Sequence, residues 1–104
     1  MREDKAARLR ALGWRSGNAA EFLGLSPEEA AYVDVKIRLA EGLRRRRARR
    51  ELTQTALAEA VGSSQSRVAK MERADATVSL DLLIRALLAL GATRQDLARM
   101  LGRR

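Results

Sequence analysis

The side chains with the clearest capacity for chemistry lie close together, between residues 64 and 70. Ser64, Gln65 and Ser66 are followed by Lys70, one helical turn further on. Glutamine can pair bidentately with adenine, serine can bond to several base edges, and lysine can reach guanine or a phosphate. On a helix that enters the major groove by its N-terminal end, these side chains would read DNA. The alternative interpretation is a polar helix face exposed to solvent, as in any soluble helical bundle.

Two short helices joined by a tight turn must position these residues. Thr53 is a typical N-cap for the first helix, and Gly62 is expected to end it in the left-handed conformation. In the second helix, Val68 and Met71 lie three residues apart, so they would point into a core while the polar side chains face outward. The pattern of cap, glycine turn and polar-faced helix predicts a helix-turn-helix.

Caps and glycines elsewhere predict further helices. The segment 26–29, SPEE, has the serine cap, the proline and the glutamate of a capping box, and no helix breaker follows until about Arg49. A strongly apolar helix is predicted within 79–91, and a last helix within 93–102. No segment has the alternation that is typical of a strand. The sequence therefore predicts an all-α chain.

Composition restricts the partners and the chemistry. The 104-residue chain carries 21 Lys and Arg against 13 Asp and Glu, a net charge of +8. Such a field favours polyanions, with nucleic acid first and an acidic protein or an anionic membrane surface next. Because the chain contains no Cys and no His, disulfides, thiolate chemistry and zinc fingers are excluded, and the commonest general base is missing.

Catalysis and membrane association have little support in the sequence. The acidic pairs Glu3/Asp4 and Glu28/Glu29 are adjacent residues that diverge on a helix, and no glycine-rich phosphate loop or HExxH motif is present. No apolar run approaches the roughly 20 residues of a membrane span, and the charged N-terminus does not resemble a signal peptide. We expect no enzyme activity, no metal, no cofactor and a cytoplasmic location.

Residues 39–90 resemble a helix-turn-helix domain of the Xre/phage-repressor family. The matching residues are Leu52-Thr53-Gln54, Leu57-Ala58, Val61-Gly62, Ser64-Gln65-Ser66, Val68 and Lys70-Met71-Glu72. The resemblance implies a five-helix, lambda-repressor-like domain that places its third helix in the major groove and binds a double-stranded operator as a dimer. Two departures stand where the family often has glycine, namely Glu51 and the loop 73–76.

The family pattern also suggests a role for each residue of the site. Those expected to contact bases are Ser64, Gln65, Ser66 and Lys70. Those expected to contact phosphates are Arg44, Arg47, Thr53, Gln54 and Arg67. Gln54 would also brace Gln65, and Arg47 would form a structural ion pair with Glu72.

The arginine run of residues 44–50 has two interpretations. Its six arginines go all round a helix, so they cannot all meet one DNA strand. They are either a solvated face with one structural ion pair, or a face from which two or three side chains flank operator phosphates. A nuclear-localisation signal is a weaker interpretation of the same run.

The ends of the chain suggest interaction surfaces. We predict an N-terminal helical arm over residues 1–25 and the Xre-type domain over 26–104. Trp14, Phe22 and Leu23 in the arm either pack on the core or anchor a partner. In the last helix, the predicted dimer surface consists of Leu97, Met100 and Leu101. The alternative is that these three residues only close the monomer core.

Size and layout further resemble HigA-type antitoxins. That resemblance implies a bacterial repressor of its own operon that neutralises a RelE-like toxin. Two alternatives remain open: a stand-alone Xre-family regulator without a toxin partner, and a protein-interaction module that does not bind DNA.

Overall fold

A computed structural model describes residues 24–102, which form five α-helices. These are α1 (Pro27–Arg49), α2 (Gln54–Val61), α3 (Gln65–Glu72), α4 (Leu80–Ala89) and α5 (Arg94–Gly102). No strand occurs within this range, so the all-α prediction is confirmed for it. The predicted N-terminal arm, with Trp14, Phe22 and Leu23, lies outside the described residues except for its last two positions.

The helices begin where the sequence places its caps. The Ser26 hydroxyl accepts a hydrogen bond from the Glu29 amide at 3.1 Å, and the Glu29 carboxylate accepts one from the Ser26 amide at 3.1 Å. This is the predicted capping box of α1. The hydroxyls of Thr53, Ser64 and Ser79 likewise accept from backbone amides in the first turns of α2, α3 and α4. Each cap satisfies an amide that has no partner within its helix.

Two turns contain residues other than glycine in the left-handed conformation. Gly62 ends α2 at φ 69°, as predicted. Glu51, between α1 and α2, has φ 57°, and Ala74, after α3, has φ 56°. Left-handed backbone costs a residue with a β-carbon about 1–2 kcal/mol. Both strained residues occur where the family pattern often has glycine. The left-handed backbone is therefore present at these positions although the residue that adopts it without strain is absent.

The hydrophobic core lies where the five helices meet. Its fully buried large side chains are Leu39, Leu43, Leu57, Val68, Met71, Val78, Leu83 and Leu87. They come from α1, α2, α3, α4 and the loop before α4, so the apolar faces predicted for these helices point inward. Gly42 allows α5 to approach α1 closely, because a β-carbon on Gly42 would collide with the sulfur of Met100. The core thus fixes α3 from its buried side and leaves its other face exposed.

The N-terminal part of α1 packs separately. Ala30 and Val33 are buried, yet they are not part of the core cluster that the described residues form. Lys36 is also buried, and its ammonium lies 5.8 Å from the ring centroid of Tyr32. The first half of α1 therefore contains buried residues that do not belong to the main core cluster.

Candidate nucleic-acid interface

Helix α3 divides into a buried face and an exposed polar face. Val68 and Met71 are both 0% exposed and pack in the core. The predicted DNA-contacting side chains of this region are all exposed: Ser64, Gln65, Ser66, Arg67 and Lys70. The helix therefore presents amide, hydroxyl and cationic groups to solvent on a firmly anchored backbone.

Two hydroxyls lie at the N-terminal end of this face. Ser64 is the N-cap, and its hydroxyl accepts from the Arg67 amide at 3.2 Å. The hydroxyls of Ser64 and Ser66 are 3.4 Å apart. The capping bond fixes the Ser64 side chain without using its hydroxyl proton, so the group retains a donor.

A hydrogen bond joins the starts of the two helices. The side-chain nitrogen of Gln65, Nε2, donates to the side-chain oxygen of Gln54, Oε1, at 2.6 Å. Each glutamine is the first residue of its helix, α2 for Gln54 and α3 for Gln65. The structure thus brings together the pair that the family resemblance predicts as brace and base reader.

The carboxylate of Glu72 lies behind this pair, with only 4% of its side chain exposed. Arg47 donates to it twice, from Nε at 2.5 Å and from Nη2 at 3.0 Å, and Gln54 Nε2 donates to it at 3.1 Å. The hydrogen bond to Glu72 raises the pKa of Arg47. Arg47 Nη1 donates to the carbonyl of Leu52 at 2.8 Å. Arg47 therefore holds the end of α3 against the turn before α2.

Sequence reasoning assigned no role to Arg46, which anchors a different part of the chain. Its Nε donates to the Leu90 carbonyl and its Nη2 to the Gly91 carbonyl, both at 3.1 Å. Its Nη2 also lies 3.5 Å from a carboxylate oxygen of Asp96. These partners follow Arg46 by 44 residues or more, and two of them are backbone groups. No side-chain pattern in the sequence could have indicated this contact.

The other predicted phosphate ligands are exposed. Arg44 and Arg67 lie on the surface, and within residues 24–102 neither forms an ion pair. Thr53 is exposed as well, but its hydroxyl accepts from the Ala56 amide at 3.0 Å. Arg44 and Arg67 are thus cations with room for a phosphate, whereas Thr53 primarily caps α2.

A buried aspartate shapes the loop after α3. Asp75 is 3% exposed, and its carboxylate accepts from the amide of Thr77 at 2.8 Å and from its hydroxyl at 2.6 Å. Arg73 Nη2 lies 3.4 Å from the same carboxylate. The hydrogen bonds stabilise a turn that begins directly after the strained Ala74. An Asp two residues before a Thr is the sequence signal that could have indicated it.

The residues predicted as a dimer surface do not share one environment. Leu97 and Met100 are half-buried and pack against the core, whereas Leu101 is 42% exposed. Leu88 on α4 is more exposed still, at 48%. Leu88 and Leu101 are therefore exposed large apolar side chains of α4 and α5, whereas Leu97 and Met100 pack mainly within the monomer.

Other kinds of site find no support in the part of the chain that the structure describes. Residues 24–102 contain no group of three or more acidic, Cys or His side chains that could hold a metal ion. None of the five helices is long and apolar enough to cross a membrane.

A short helix capped by serine, anchored through its apolar face and exposing glutamine, serine and lysine is the arrangement expected of the second helix in a helix-turn-helix. The chain belongs to the Xre-like helix-turn-helix family. The family model HTH_3, described as helix-turn-helix, matches residues 43–97, which is more than half of the chain. The fold is consistent with a lambda-repressor-like domain, and the family is one of DNA-binding regulators that are typically not enzymes. Neither a curated protein nor a solved structure matches the chain.

Proposed function

We propose that the chain is a sequence-specific transcriptional repressor that inserts α3 into the major groove of a double-stranded operator. The division of α3 carries the proposal, because its apolar residues are fully buried and its polar residues are exposed at the groove-facing end. A polar face that served only to contact solvent would not require Gln65 to be held in place by Gln54. The net charge of +8 supplies the attraction for the phosphate backbone.

The proposed contacts divide between sequence reading and positioning. Ser64, Gln65, Ser66 and Lys70 would contact base edges, while Arg44, Arg47, Thr53, Gln54 and Arg67 would contact phosphates. The exposure of Arg44 and Arg67 supports them as phosphate ligands. Arg47 and Thr53 already bond within the protein, so any phosphate contact would come in addition to their structural roles.

We further propose that two copies bind together as a homodimer. The exposed Leu101 and Leu88 support this, since large apolar side chains on a surface often mark an interface. Leu97 and Met100 would contribute only their exposed edges. A two-fold symmetric dimer requires a roughly palindromic operator whose half-sites lie about one helical turn apart.

The direct test begins by selecting binding sites from a random double-stranded DNA library. The double variant Gln65→Ala with Lys70→Ala should bind the selected operator at least about tenfold more weakly, because one good bidentate contact contributes about 1–3 kcal/mol. Loss of Lys70 should also lower the salt slope of binding if it contacts a phosphate, by about 0.9. The measurement is affinity by fluorescence anisotropy at several salt concentrations.

A matched control removes one glutamine and one cationic residue elsewhere. Arg94 and Gln95 are exposed on α5. Arg94→Ala with Gln95→Ala makes the same change in net charge but leaves α3 intact, so it should keep operator preference. Equal losses in the two double variants would contradict the assignment of α3 as the reading helix. A library that yields no preferred sequence would contradict sequence-specific binding altogether.

A second proposal is that this repressor is the antitoxin of a type II toxin–antitoxin pair and neutralises a RelE-like toxin. It draws on the resemblance to HigA-type antitoxins and on residues 27–42 of α1, which precede the family match. That segment buries Ala30 and Val33 outside the main core and leaves Tyr32 39% exposed. Of these residues only Tyr32 is exposed enough to contact a partner, and tyrosine is enriched among the residues that contribute most to interfaces. Trp14, Phe22 and Leu23 are the proposed anchors in the preceding arm.

Co-expression tests the antitoxin proposal. A RelE-like reading frame beside the gene should arrest growth when expressed alone and should permit growth when expressed with this chain. Substituting alanine at Trp14, Phe22 and Leu23 together should abolish the rescue while operator binding persists. Operator binding without rescue by the unaltered chain would indicate a stand-alone regulator. Rescue without operator binding would indicate a protein-interaction module.

A further inference from the structure

A chain of hydrogen bonds runs from the buried end of α3 to its exposed beginning, linking Arg47, Glu72, Gln54 and Gln65 in that order. We propose that Glu72 sets the orientation of the Gln65 amide and thereby makes the base position read by Gln65 selective for adenine over guanine. Glu72 would act as a positioning residue, two hydrogen bonds away from the DNA. The inference rests on the proposed function and names what one residue of the site reads.

The carboxylate of Glu72 determines which group of the Gln54 side chain faces it. An ionised carboxylate can only accept hydrogen bonds. Arg47 holds it in place with two charge-assisted bonds, and the Gln54 side chain approaches the same oxygen, Oε1, at 3.1 Å. If the carbonyl oxygen of Gln54 faced this oxygen, two acceptors would meet in a nearly buried site. The amide nitrogen of Gln54 must therefore face Glu72.

The planarity of the amide group fixes the direction of its carbonyl oxygen. With its nitrogen directed at Glu72, Gln54 presents its carbonyl oxygen towards α3. This oxygen accepts from the Gln65 amide nitrogen at 2.6 Å. The bond uses one of the two protons on that nitrogen. Gln65 is left with one N–H donor and a carbonyl oxygen for a ligand.

This pair of groups matches the edge of one base. Adenine offers an N7 acceptor beside an N6 amino donor in the major groove, which suits one N–H and one carbonyl oxygen. If Gln54 were reversed, it would donate to the Gln65 carbonyl, and both protons of the Gln65 nitrogen would be available. Two donors suit guanine, whose N7 and O6 are both acceptors. The direction of the hydrogen-bond chain thus decides between the two purines.

Two substitutions break the chain at different links. Glu72→Gln keeps the size of the side chain but adds a donor, so Gln54 can adopt either orientation. Gln54→Met keeps the length of the side chain and leaves the Arg47–Glu72 pair in place, but it removes both hydrogen bonds. Glu59→Gln is the matched control, because Glu59 is exposed on α2 and its substitution changes the net charge as Glu72→Gln does.

The experiment uses the full chain and the operator selected from the random library. Gln65→Ala first identifies the base pair at which discrimination depends on Gln65. Binding is then measured to four operators that carry each base pair at this position. The unaltered chain and Glu59→Gln should prefer A·T over G·C by about tenfold or more. In Glu72→Gln and Gln54→Met the preference for A·T over G·C should fall to about twofold or less. The affinity for the G·C operator, relative to the A·T operator, should rise most in Glu72→Gln.

Each other outcome overturns the inference in a distinguishable way. If Glu72→Gln keeps the full preference, Glu72 does not set the amide orientation. If Glu72→Gln does not fold, as judged by thermal unfolding, Gln54→Met still tests the inference. Full preference for A·T in Gln54→Met would show that the Gln65 amide does not depend on Gln54 for its orientation. If Gln65→Ala changes no base preference, Gln65 is not a reader and the inference fails, while sequence-specific binding through another residue stands. Absence of any preferred sequence refutes the proposed function itself.

Discussion

Arg46 and Arg47 are neighbours in α1, yet they anchor different regions of the molecule. Arg46 bonds to the carbonyls of Leu90 and Gly91, in the turn between α4 and α5. Arg47 bonds to Glu72, at the end of α3. The contacts of Arg46 end at backbone atoms and at Asp96. Those of Arg47 continue through Gln54 to Gln65 on the surface.

The difference shows that adjacent residues of the same type can have separate structural roles. Consecutive residues on a helix point about 100° apart, so Arg46 and Arg47 face different neighbours. Arg46 fixes the packing of the C-terminal helices. Arg47 fixes the orientation of the helix proposed to read DNA. Substitution of either arginine should therefore lower stability, but only substitution of Arg47 should also weaken operator recognition.

The largest effect is expected for Arg47→Ala. Removing the guanidinium takes two charge-assisted bonds from a nearly buried carboxylate, so we expect a loss of about 3 kcal/mol in the free energy of unfolding. Operator affinity should fall as well. Urea unfolding measures the first effect, and Arg45→Ala is the control, since Arg45 is exposed in the same run and should change stability by less than about 0.5 kcal/mol. Equal costs at the two positions would contradict the role of Arg47.

A smaller effect is expected for Arg46→Ala. Two hydrogen bonds from a charged donor are lost, and of their two acceptors Leu90 is buried but Gly91 is exposed, so the cost should be about 1–2 kcal/mol. Affinity for the selected operator should not change at temperatures where the variant is folded. Calorimetry and anisotropy together check this prediction. A loss of operator affinity as large as that of Arg47→Ala would remove the distinction between the two arginines.

A gain in stability is expected for Glu51→Gly, in the turn that Arg47 braces. Glycine removes the left-handed strain of about 1–2 kcal/mol but adds freedom to the unfolded chain, so the net gain should be about 0.5 kcal/mol. Glu51→Ala is the control, because alanine retains the strain and should give no such gain. Thermal unfolding of both variants shows whether a gain in stability comes from removing the backbone strain or from removing the glutamate charge.

The smallest effect concerns pH and the region that Arg46 holds. Hydrogen bonds from the Thr93 amide and hydroxyl lower the pKa of Asp96, with smaller contributions from Arg99 and Arg46. A carboxyl whose pKa is depressed on folding adds stability above its unfolded pKa of about 3.9, and this stability is lost as the pH falls through the folded value. Asp96→Asn should therefore be less stable than the unaltered chain at pH 7, and the difference should shrink below about pH 4.

Urea unfolding at several pH values measures this dependence. Asp81→Asn serves as the control, because Asp81 and Arg85 form an exposed pair on α4 that should contribute less than about 0.5 kcal/mol at pH 7. A stability difference for Asp96→Asn that stays constant from pH 7 to pH 3 would contradict the prediction.

The helices could be predicted from the sequence because their ends depend on local chemistry. Ser26 with Glu29, Thr53 and Gly62 each bond to, or turn, the backbone within a few residues. The burial of Val68 and Met71 likewise follows from their spacing on one helix. The pairing of Arg47 with Glu72 was different, since it was expected only from the family resemblance.

The remainder of the site depends on contacts between distant parts of the chain. Arg46 bonds to carbonyls, which every residue carries, so no side-chain pattern could point to them. The left-handed Glu51 was hidden because its residue type disfavours that conformation. The packing of Met100 at Gly42 depends on how two helices cross. Spacing could indicate that Leu97 and Met100 share a face, but not that this face closes the monomer.

The contact between Gly42 and Met100 makes the α1–α5 packing vulnerable to oxidants. The thioether sulfur occupies the space that a β-carbon on Gly42 would need. Conversion of Met100 to its sulfoxide would add a polar oxygen to a sulfur that is already in close contact with a helix backbone. The chain contains no Cys, so no thiol would be oxidised in its place. Oxidation of Met100 would therefore loosen the packing of α5 on α1, and reduction of the sulfoxide would restore it.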